Sequence, residues 1–278
     1  MCRWLAYTGS PLLLGEALYA PAHSLIDQSL HSELGAEATN GDGFGIGWYD
    51  ATPAPGLFKS VEPAWNDRNL RELANHITSP HFFAHIRAAI GSEVQQTNCH
   101  PFRHGRWLWM HNGFISQFGS VKRDLVFAVD PSLYAEIAGQ SDTEVLFFVA
   151  LTFGLEHDPP AAVKLAIGLV ESLGPAHGIE HPFQGTIATT DGERMWVFRY
   201  SSEGKSRSLF YTTDIPTLKR LYPERQILKE VGDDARLVVS EPIGDLPGAW
   251  NEMPESSYAV IGGGREQIRP FAPEPPPG

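Results

Sequence analysis

A pair of strand-like segments joined by Asp191-Gly192 restricts the fold more than any other feature of the sequence. The segments FQGTIATT (183–190) and RMWVFRYS (194–201) are rich in β-branched and aromatic residues. An Asp-Gly dipeptide between two such runs is a strong signal for a β-hairpin. Because a hairpin joins adjacent antiparallel strands, we expect antiparallel sheet in this part of the chain.

The other predicted elements are a mixture of strands and helices. Runs of aromatic and branched residues predict strands at RWLAYT (3–8), GFGIGWY (43–49), FFAHIRAAI (82–90), RWLWMHNG (106–113), LFYTT (209–213) and RLVVSE (236–241). Apolar residues at helical spacing predict helices at HSLIDQSLHSEL (23–34), RNLRELANHI (68–77), SDTEVLFFVALTFGL (141–155) and PAAVKLAIGLVESLG (160–174). Asn66 or Asp67 is expected to cap the second helix, and Ser141 with Glu144 forms a capping-box pattern at the third. Strands and helices do not alternate as in βαβ units, so the sequence favours an α+β fold with antiparallel sheets.

The 278 residues are enough for one large or two small domains. No segment in the middle of the chain has the composition of a linker, so we expect a single domain over residues 1–268. The remaining segment, RPFAPEPPPG (269–278), is proline-rich and is expected to be a tail that leads from ordered into disordered chain.

Charge and composition exclude several classes of protein. The formal net charge is −12, which argues against a general nucleic-acid binder because such a protein needs a basic surface. No apolar run is long enough to span a bilayer, and the N-terminus lacks the pattern of a signal peptide, so no membrane partner is expected. Two cysteines, Cys2 and Cys99, are too few for a disulfide framework and fit a reducing, cytoplasmic location.

Cys2 directly follows the initiator methionine. Removal of Met1 would leave a thiol and a free α-amine on one residue, and the amine can accept the thiol proton at neutral pH. Nucleophile and base then need no histidine or aspartate partner. Taken alone, the position of this cysteine is better explained by chance, and a retained Met1 would block the amine.

Three other positions are candidates for binding one polar substrate. Arg87, at the end of an apolar strand, is either a surface cation or a clamp for a carboxylate. Asn112 and Gly113 either form a turn or supply two donors to an oxyanion hole. Asp142, at a helix start, either complements the helix dipole or holds an ammonium group.

Neither a metal nor a nucleotide cofactor is predicted. Cys99 and His100 are adjacent but lack further ligands at the spacing of a zinc site. The glycines of NGDGFGIGW do not have the spacing of a dinucleotide-binding loop. A carboxylate clamp, an ammonium acceptor, an oxyanion hole and a terminal thiol together suit a free α-amino acid with a side-chain amide, and glutamine fits that description.

On these residues the chain resembles the class II glutamine amidotransferases of the N-terminal nucleophile hydrolase superfamily. The resemblance rests on an ordered set of motifs: MCRWLAYTG, NGDGFGIGW, AHIRAA, NCHPF, HNG, SDTE and VVSEP. It is strongest to the short, stand-alone members, which include γ-glutamyl hydrolases of glutathione and ergothioneine metabolism. The resemblance implies an αββα sandwich of two antiparallel sheets and no cofactor or metal.

The resemblance also implies a role for individual residues. Cys2 would be the nucleophile and its amine the base, and Asn112 and Gly113 would form the oxyanion hole. Arg87 would bind the α-carboxylate of the substrate and Asp142 its α-ammonium, while His100 matches a pocket position. Many relatives carry Thr or Ser shortly after the arginine, where this chain has Ile90; Ser92 and Thr97 are the candidates to replace that hydroxyl.

Three functions remain open from the sequence. The first is a self-sufficient hydrolase that forms a thioester with the γ-glutamyl group of glutamine or a γ-glutamyl compound, since no synthase domain is expected after the last strands. The second is a glutaminase subunit that delivers ammonia to a partner synthase, or that works with a peptidase subunit. The third is a glutamine-sensing module without catalysis. The leaving group and the oligomeric state are not fixed by any motif.

Overall fold

The computed structural model describes residues 2–34, 39–89 and 92–277, and Met1 and Ile90, discussed above, lie outside these ranges. The described residues form thirteen strands and nine α-helices. The strands are β1 (Arg3–Leu13), β2 (Phe44–Trp48), β3 (Gly56–Ser60), β4 (Thr78–Ile86), β5 (Phe102–His104), β6 (Trp107–Ile115), β7 (Phe183–Thr190), β8 (Met195–Ser201), β9 (Phe210–Thr212), β10 (Arg236–Val239), β11 (Trp250–Glu252), β12 (Ser257–Gly262) and β13 (Arg265–Pro270). The helices are α1 (Leu14–Leu18), α2 (Leu25–Leu30), α3 (Arg68–His76), α4 (Phe118–Phe127), α5 (Pro131–Tyr134), α6 (Asp142–Thr152), α7 (Pro159–Leu173), α8 (Ile215–Leu221) and α9 (Gln226–Glu230).

The strands form two sheets in which every described pairing is antiparallel. The first sheet has the order β11-β9-β10-β1-β4-β2-β3, and the second has the order β13-β12-β8-β7-β6-β5. β1 and β4 lie at the centre of the first sheet, and β6 and β7 lie inside the second. The strands that carry the candidate site residues are therefore internal, where neighbours on both sides fix their positions.

Three apolar layers hold the sheets and helices together. The inter-sheet layer contains Trp4, Phe83, Met110 and Val238, all of them buried. A second layer lies between the first sheet and α1, α2, α3, α8 and α9, and a third lies between the second sheet and α4, α6 and α7. Helices thus cover both outer faces, which confirms the expected αββα sandwich.

Side-chain alternation along β1 explains how one strand serves two layers. Trp4 and Ala6 belong to the inter-sheet layer, whereas Leu5 and Tyr7 belong to the layer under the helices. Successive side chains of a strand point to opposite faces of the sheet. Because all of these positions are buried, this strand lacks the polar alternation of a surface strand and has a continuous apolar sequence.

The predicted hairpin is present, with Thr190 opposite Met195 across the β7–β8 turn. The glycines of β2 also behave as the sequence indicates, since a Cβ on Gly45 would lie 3.2 Å from the carbonyl carbon of His100 and closer still to its oxygen. Of the two expected caps of α3, Asp67 is the one that accepts a hydrogen bond from the N–H of Leu70.

Two local expectations are corrected by the structure, and one open alternative is decided. The helix expected over residues 23–34 is limited to α2, because the segment after it turns to contact other parts of the chain. The capping box is half formed: Ser141 accepts from the N–H of Glu144, but the Glu144 carboxylate accepts from Ala138 and Gly139 instead. Of the two possibilities left open for Asn112-Gly113, the turn is excluded, because both residues continue β6 and pair with β7, within the strand predicted over residues 106–113.

The proline-rich segment begins inside the sheet. The division expected between residues 268 and 269 falls within β13, which pairs with β12 as far as Pro270. Phe271 is buried against Phe198 and Tyr200, and the N–H of Glu274 donates to the carbonyl of Lys164 on α7. The first part of this segment is thus a structural part of the third apolar layer.

Candidate active site

Cys2 lies immediately before β1, at the end of the strand that enters the inter-sheet layer. Cys2 and Trp4 are two residues apart, so strand alternation directs both side chains toward the space between the sheets. The half-buried Sγ lies 3.6 Å from the carbonyl oxygen of Ala88 and can donate its proton there. Burial raises the pKa of the Cys2 thiol, and the contact with Ala88 and the charge of Arg87 only partly oppose this effect. The resting thiol is therefore protonated at neutral pH.

Arg87 follows the last residue of β4 and is almost completely buried. Its backbone N–H donates to the carbonyl of Gly43, which fixes the point at which the chain leaves the sheet. The Nη2 group donates to the hydroxyl of Ser92 at 2.7 Å and to the carbonyl of Glu93 at 3.0 Å. Within the described residues Nη1 is buried without a hydrogen-bond partner, so this nitrogen is available to an anionic ligand.

Asn112 and Gly113 lie next to each other near the end of β6. A Cβ at Gly113 would come within 2.5 Å of the Cα of Gly185 and 2.6 Å of the His111 Nε2, so only glycine fits here. Asn112 is buried, with 4% of its surface exposed. In the described parts of the chain its side-chain amide makes no hydrogen bond. The amide N–H groups are therefore free to donate to a ligand.

Asp142 is the first residue of α6 and connects this helix to β6. Its carboxylate accepts from the backbone N–H of Ile115 at 2.8 Å and from that of Thr143 at 2.7 Å. These donors fix the orientation of the carboxylate. The helix-dipole explanation and the ligand explanation are compatible, because the remaining lone pairs can still accept from an ammonium group.

His100 belongs to a buried group of three imidazoles. Its Nδ1 lies 2.7 Å from the Nε2 of His85, and the Nδ1 of His111 lies 3.0 Å from the Thr143 hydroxyl. Burial lowers the pKa of His85 to about 3 and holds the pKa of His100 well below its ordinary value; it also lowers the pKa of His111. These rings are therefore neutral at physiological pH and serve as hydrogen-bonding groups rather than cations.

One cavity between the ends of the two sheets brings all six predicted residues together. It is lined by Cys2, Arg87, His100, Asn112, Gly113 and Asp142. Ser92 also lines this cavity, whereas Thr97 lines a separate one, so Ser92 is the better placed of the two hydroxyls suggested to replace that of a Thr or Ser. Motifs that are up to 140 positions apart in the sequence, from Cys2 to Asp142, meet in this cavity because β1 and α6 begin there and β4 and β6 end there.

Sequence reasoning did not assign roles to several other lining residues, among them Asn98, His111, Thr143 and Arg207. His85, which lies behind His100, could have been found from the sequence. It is two residues before Arg87, so the two side chains are expected on the same face of the strand. Arg207 lies in the connection between β8 and β9, and no local pattern marks it. Its position follows only from the pairing of distant strands.

A larger cavity, of about 520 Å³, lies on the outer side of the first sheet beneath α8 and α9. Its lining is mainly aliphatic and includes Leu218, Leu228 and Leu237. Among the described residues, its lining includes charged residues such as Glu16, Arg225 and Asp245, but no thiol and no imidazole. We therefore assign the candidate active site to the smaller, polar cavity at Cys2.

In the described part of the chain, one group of side chains could hold a metal ion. The group consists of His23, Glu33 and Glu241, whose ligand atoms lie within 4.8 Å of one another. None of the three lines the cavity at Cys2. Cys99 is a buried free thiol and does not line the cavity. Over residues 2–34, 39–89 and 92–277, no helix combines the length and hydropathy that crossing a bilayer requires.

Comparison with known proteins identifies relatives over most of the chain. Residues 12–213 match the family described as glutamine amidotransferases class-II. The sequence is 32% identical over 293 aligned positions to the probable glutamine amidotransferase DUG3 of Saccharomyces cerevisiae, covering 94% of this chain and 82% of that protein. It is 30% identical to the gamma-glutamyl-hercynylcysteine sulfoxide hydrolase of Mycolicibacterium smegmatis over 119 residues, which is 42% of this chain and 52% of that protein.

Solved structures with the same fold agree with this result. A glutamine aminotransferase class-II domain protein from Silicibacter pomeroyi superposes with a TM-score of 0.75 at 33% identity, covering 98% of this chain and 99% of the other. The glutamine phosphoribosylpyrophosphate amidotransferase of B. subtilis superposes with a TM-score of 0.66 at 15% identity, covering 98% of this chain and 49% of the other. The second similarity is one of fold.

Proposed function

Since the chain belongs to the class II glutamine amidotransferases, we propose that it hydrolyses the γ-glutamyl amide bond of glutamine or of a small γ-glutamyl compound, with Cys2 as the nucleophile. The observation that carries the proposal is the single cavity that contains all six residues picked out by separate motifs. A binding site for an α-amino acid needs the charges of Arg87 and Asp142, and acyl transfer needs the thiol and an oxyanion hole beside them.

The raised pKa of the Cys2 thiol makes a base necessary. We propose that removal of Met1 exposes the α-amine of Cys2, which takes the thiol proton directly or through one water. The thiolate then forms a bond to the γ-carbonyl carbon of the substrate, and the carbonyl electron pair moves to oxygen. The amide of Asn112 and the N–H of Gly113 would donate to that oxyanion.

Collapse of the tetrahedral intermediate breaks the carbon–nitrogen bond. The protonated α-amine returns its proton to the departing nitrogen, and the glutamyl group remains on Sγ as a thioester. Water, activated by the same amine, then attacks the thioester carbonyl and releases glutamate together with the free thiol. Every proton in this sequence moves between Cys2, the substrate and water, so the proposal requires no metal or cofactor.

One relative supports a γ-glutamyl compound larger than glutamine as the substrate. That relative is described as a hydrolase of a gamma-glutamyl compound, gamma-glutamyl-hercynylcysteine sulfoxide. In this chain Arg87 and Asp142 would hold the glutamyl part. Other residues of the cavity would then determine which leaving amine is accepted. The two free cysteines of the structure support a reducing, cytoplasmic setting for such an enzyme.

The proposal is tested by glutamate release from a panel of glutamine and γ-glutamyl dipeptides, using the chain without any partner. We expect the wild type to turn over at least one of these compounds and the Cys2→Ala variant to lose turnover while keeping its fold. Cys99→Ala removes the second thiol, which lies outside the cavity; this variant is the matched control and should retain activity. Turnover by Cys2→Ala at the wild-type rate would disprove the role of Cys2.

A further inference from the structure

A buried ion pair lies next to Cys2, on the outer side of the first sheet. Arg3 and Glu241 each have a side-chain exposure of 2%, and the Arg3 Nε lies 2.8 Å from the Glu241 Oε2. Glu241 follows β10 by two residues and belongs to the VVSEP motif of the sequence. Two buried charges are costly to retain unless their hydrogen-bonding groups are satisfied.

The Glu241 carboxylate accepts from five donors on three segments of the chain. Besides Arg3, His23 donates from Nε2 at 2.6 Å and Ser32 from its hydroxyl at 3.2 Å. The backbone N–H groups of Glu33 and Leu34 donate at 2.9 and 3.1 Å. One carboxylate thus ties the start of β1 to the segment that follows α2.

The charges of this cluster support one another. Burial by itself would raise the pKa of Glu241, but the donors from Glu33, His23 and Leu34 and the charge of Arg3 lower it below its ordinary value. Burial would also lower the pKa of His23, yet its hydrogen bonds to Glu241 and Asp27 raise it. The lone pairs of Glu241 are already occupied by these donors, so hydrogen bonding accounts for the cluster without a cation.

Arg3 connects this cluster to Cys2. Its Nη1 donates to the carbonyl oxygen of Cys2 at 3.0 Å, and its Nη2 contacts the Ser32 hydroxyl. Because side chains alternate along the strand, Arg3 extends to the outer face of the first sheet while Cys2 extends toward the cavity. Fixing the guanidinium therefore fixes the peptide unit from which the thiol and the α-amine project.

We propose that Glu241 is a positioning residue for the nucleophile: through Arg3 it holds the carbonyl of Cys2 and so aims the thiol and amine at the substrate. This inference rests on the proposed function of Cys2. Glu241 does not touch the cavity that contains the six site residues. Glu241 supplies a constraint that an N-terminal residue otherwise lacks, because a chain terminus has a covalent neighbour on one side only and frays unless other contacts hold it.

The experiment compares Glu241→Gln with Glu266→Gln. The second variant is a matched control because Glu266, on β13 of the second sheet, forms a similar pair with the buried Arg236 of β10, whose Nε lies 3.0 Å from Oε2. Each protein is treated with a diazoketone analogue of glutamine, and the label on Cys2 is followed by mass spectrometry. The rate constant at saturating reagent and the half-saturating concentration are determined per folded molecule.

We expect the saturating rate constant of Glu241→Gln to fall at least about tenfold, because a misplacement on the order of 1 Å at a reacting atom has effects of this size or larger. The half-saturating concentration should change little, since Arg87 and Asp142 bind the reagent, and Glu266→Gln should match the wild type. A purely structural role would lower the folded fraction without changing the rate constant. If Glu241→Gln does not fold, Glu241→Asp, which keeps the charge on a shorter side chain, should show a loss in the same direction.

Two results would overturn the inference, and they are distinguishable. Labelling of Cys2 in the wild type together with a wild-type rate constant in the folded Glu241 variant would reject the positioning role and leave the proposed function intact. Absence of any label on Cys2 in the wild type would reject the proposed function and, with it, this inference.

Discussion

At the scale of single residues, the Asn112 amide is the most direct test of the proposed oxyanion hole. Replacing Asn112 with Ala should reduce kcat by roughly 10²–10³-fold, equivalent to about 2.7–4 kcal/mol of transition-state stabilisation, with a much smaller change in KM. The physical reason is that the amide donates to charge that exists only in the transition state. Steady-state kinetics on a γ-glutamyl substrate provides the measurement.

Asn251→Ala is the control for this prediction. Asn251 lies exposed on β11, where its amide donates to the hydroxyl of Thr213, and its loss should leave kcat unchanged. If Asn112→Ala retained kcat within about threefold of the wild type, the Asn112 amide would not be a donor to the oxyanion.

Several residues of the site could be predicted because each belongs to a short motif with its own chemical meaning. Cys2, Arg87 and Asp142 each have a terminal, strand-end or helix-start position that can be recognised from the local sequence. Glu241 and Arg207 could not be assigned in this way. Their contacts depend on which distant strands become neighbours, and no local pattern contains that information.

At the scale of secondary-structure elements, β13 and the residue after it test whether the proline-rich segment is structural. Phe271 is 3% exposed and packs edge-on against Phe198. Phe271→Ala should lower the free energy of unfolding by about 3–5 kcal/mol, because it removes a buried aromatic side chain and leaves a cavity. Urea denaturation followed by circular dichroism gives the value.

Phe127→Ala is the matched control for Phe271. Phe127 is the last residue of α4 and is 74% exposed, so its replacement should change the free energy of unfolding by no more than about 0.5 kcal/mol. Equal effects of the two substitutions would mean that the segment after β13 does not stabilise the fold.

The elements that could be predicted are those with long and regular patterns. α3, α6, α7 and the β7–β8 hairpin have apolar periodicity together with start, stop or turn residues. The strands β3, β5, β11, β12 and β13 were not predicted, and none of them is longer than six residues. Polar and charged residues interrupt them, and their conformation depends on pairing with a neighbouring strand rather than on local preference.

At the scale of the whole molecule, buried histidines should make the protein sensitive to acid. Burial lowers the pKa of His81, His85, His100 and His111 in the folded state, whereas an unfolded histidine binds a proton below about pH 6.5. The unfolded chain therefore binds more protons, and the free energy of unfolding should fall as the pH falls from about 7 to 5. Each histidine contributes up to about 1.4 kcal/mol per pH unit in this range.

His23 has the opposite sign, because its raised pKa gives stability that is present below about pH 6.5 and is lost as the pH rises. Since four lowered groups oppose this one, acid destabilisation should dominate. Urea denaturation at pH 7.5, 6.5 and 5.5 tests the sign, these pH values being chosen around the ordinary pKa of about 6.5. A free energy of unfolding that stayed constant or increased toward pH 5.5 would contradict the neutral state of these rings.

The α+β class follows from the mixture and order of the predicted elements, but the layered arrangement does not. β1 pairs with β10, which puts Leu5 opposite Val239, and this contact joins the C-terminal strands of the first sheet to its N-terminal strands. No periodicity in either segment specifies such a partner. The αββα arrangement was therefore reached through the resemblance of the motifs to a known family.

The central claim is that Cys2 is an N-terminal nucleophile in a cavity shaped for a glutamyl group. The most direct measurement is the intact mass of the purified protein before and after exposure to a diazoketone analogue of glutamine, with peptide mapping of any adduct. The claim predicts a chain that lacks Met1 and gains one adduct, on Cys2, while the Cys2→Ala variant gains none. A chain that retains Met1 or shows no adduct on Cys2 would contradict it.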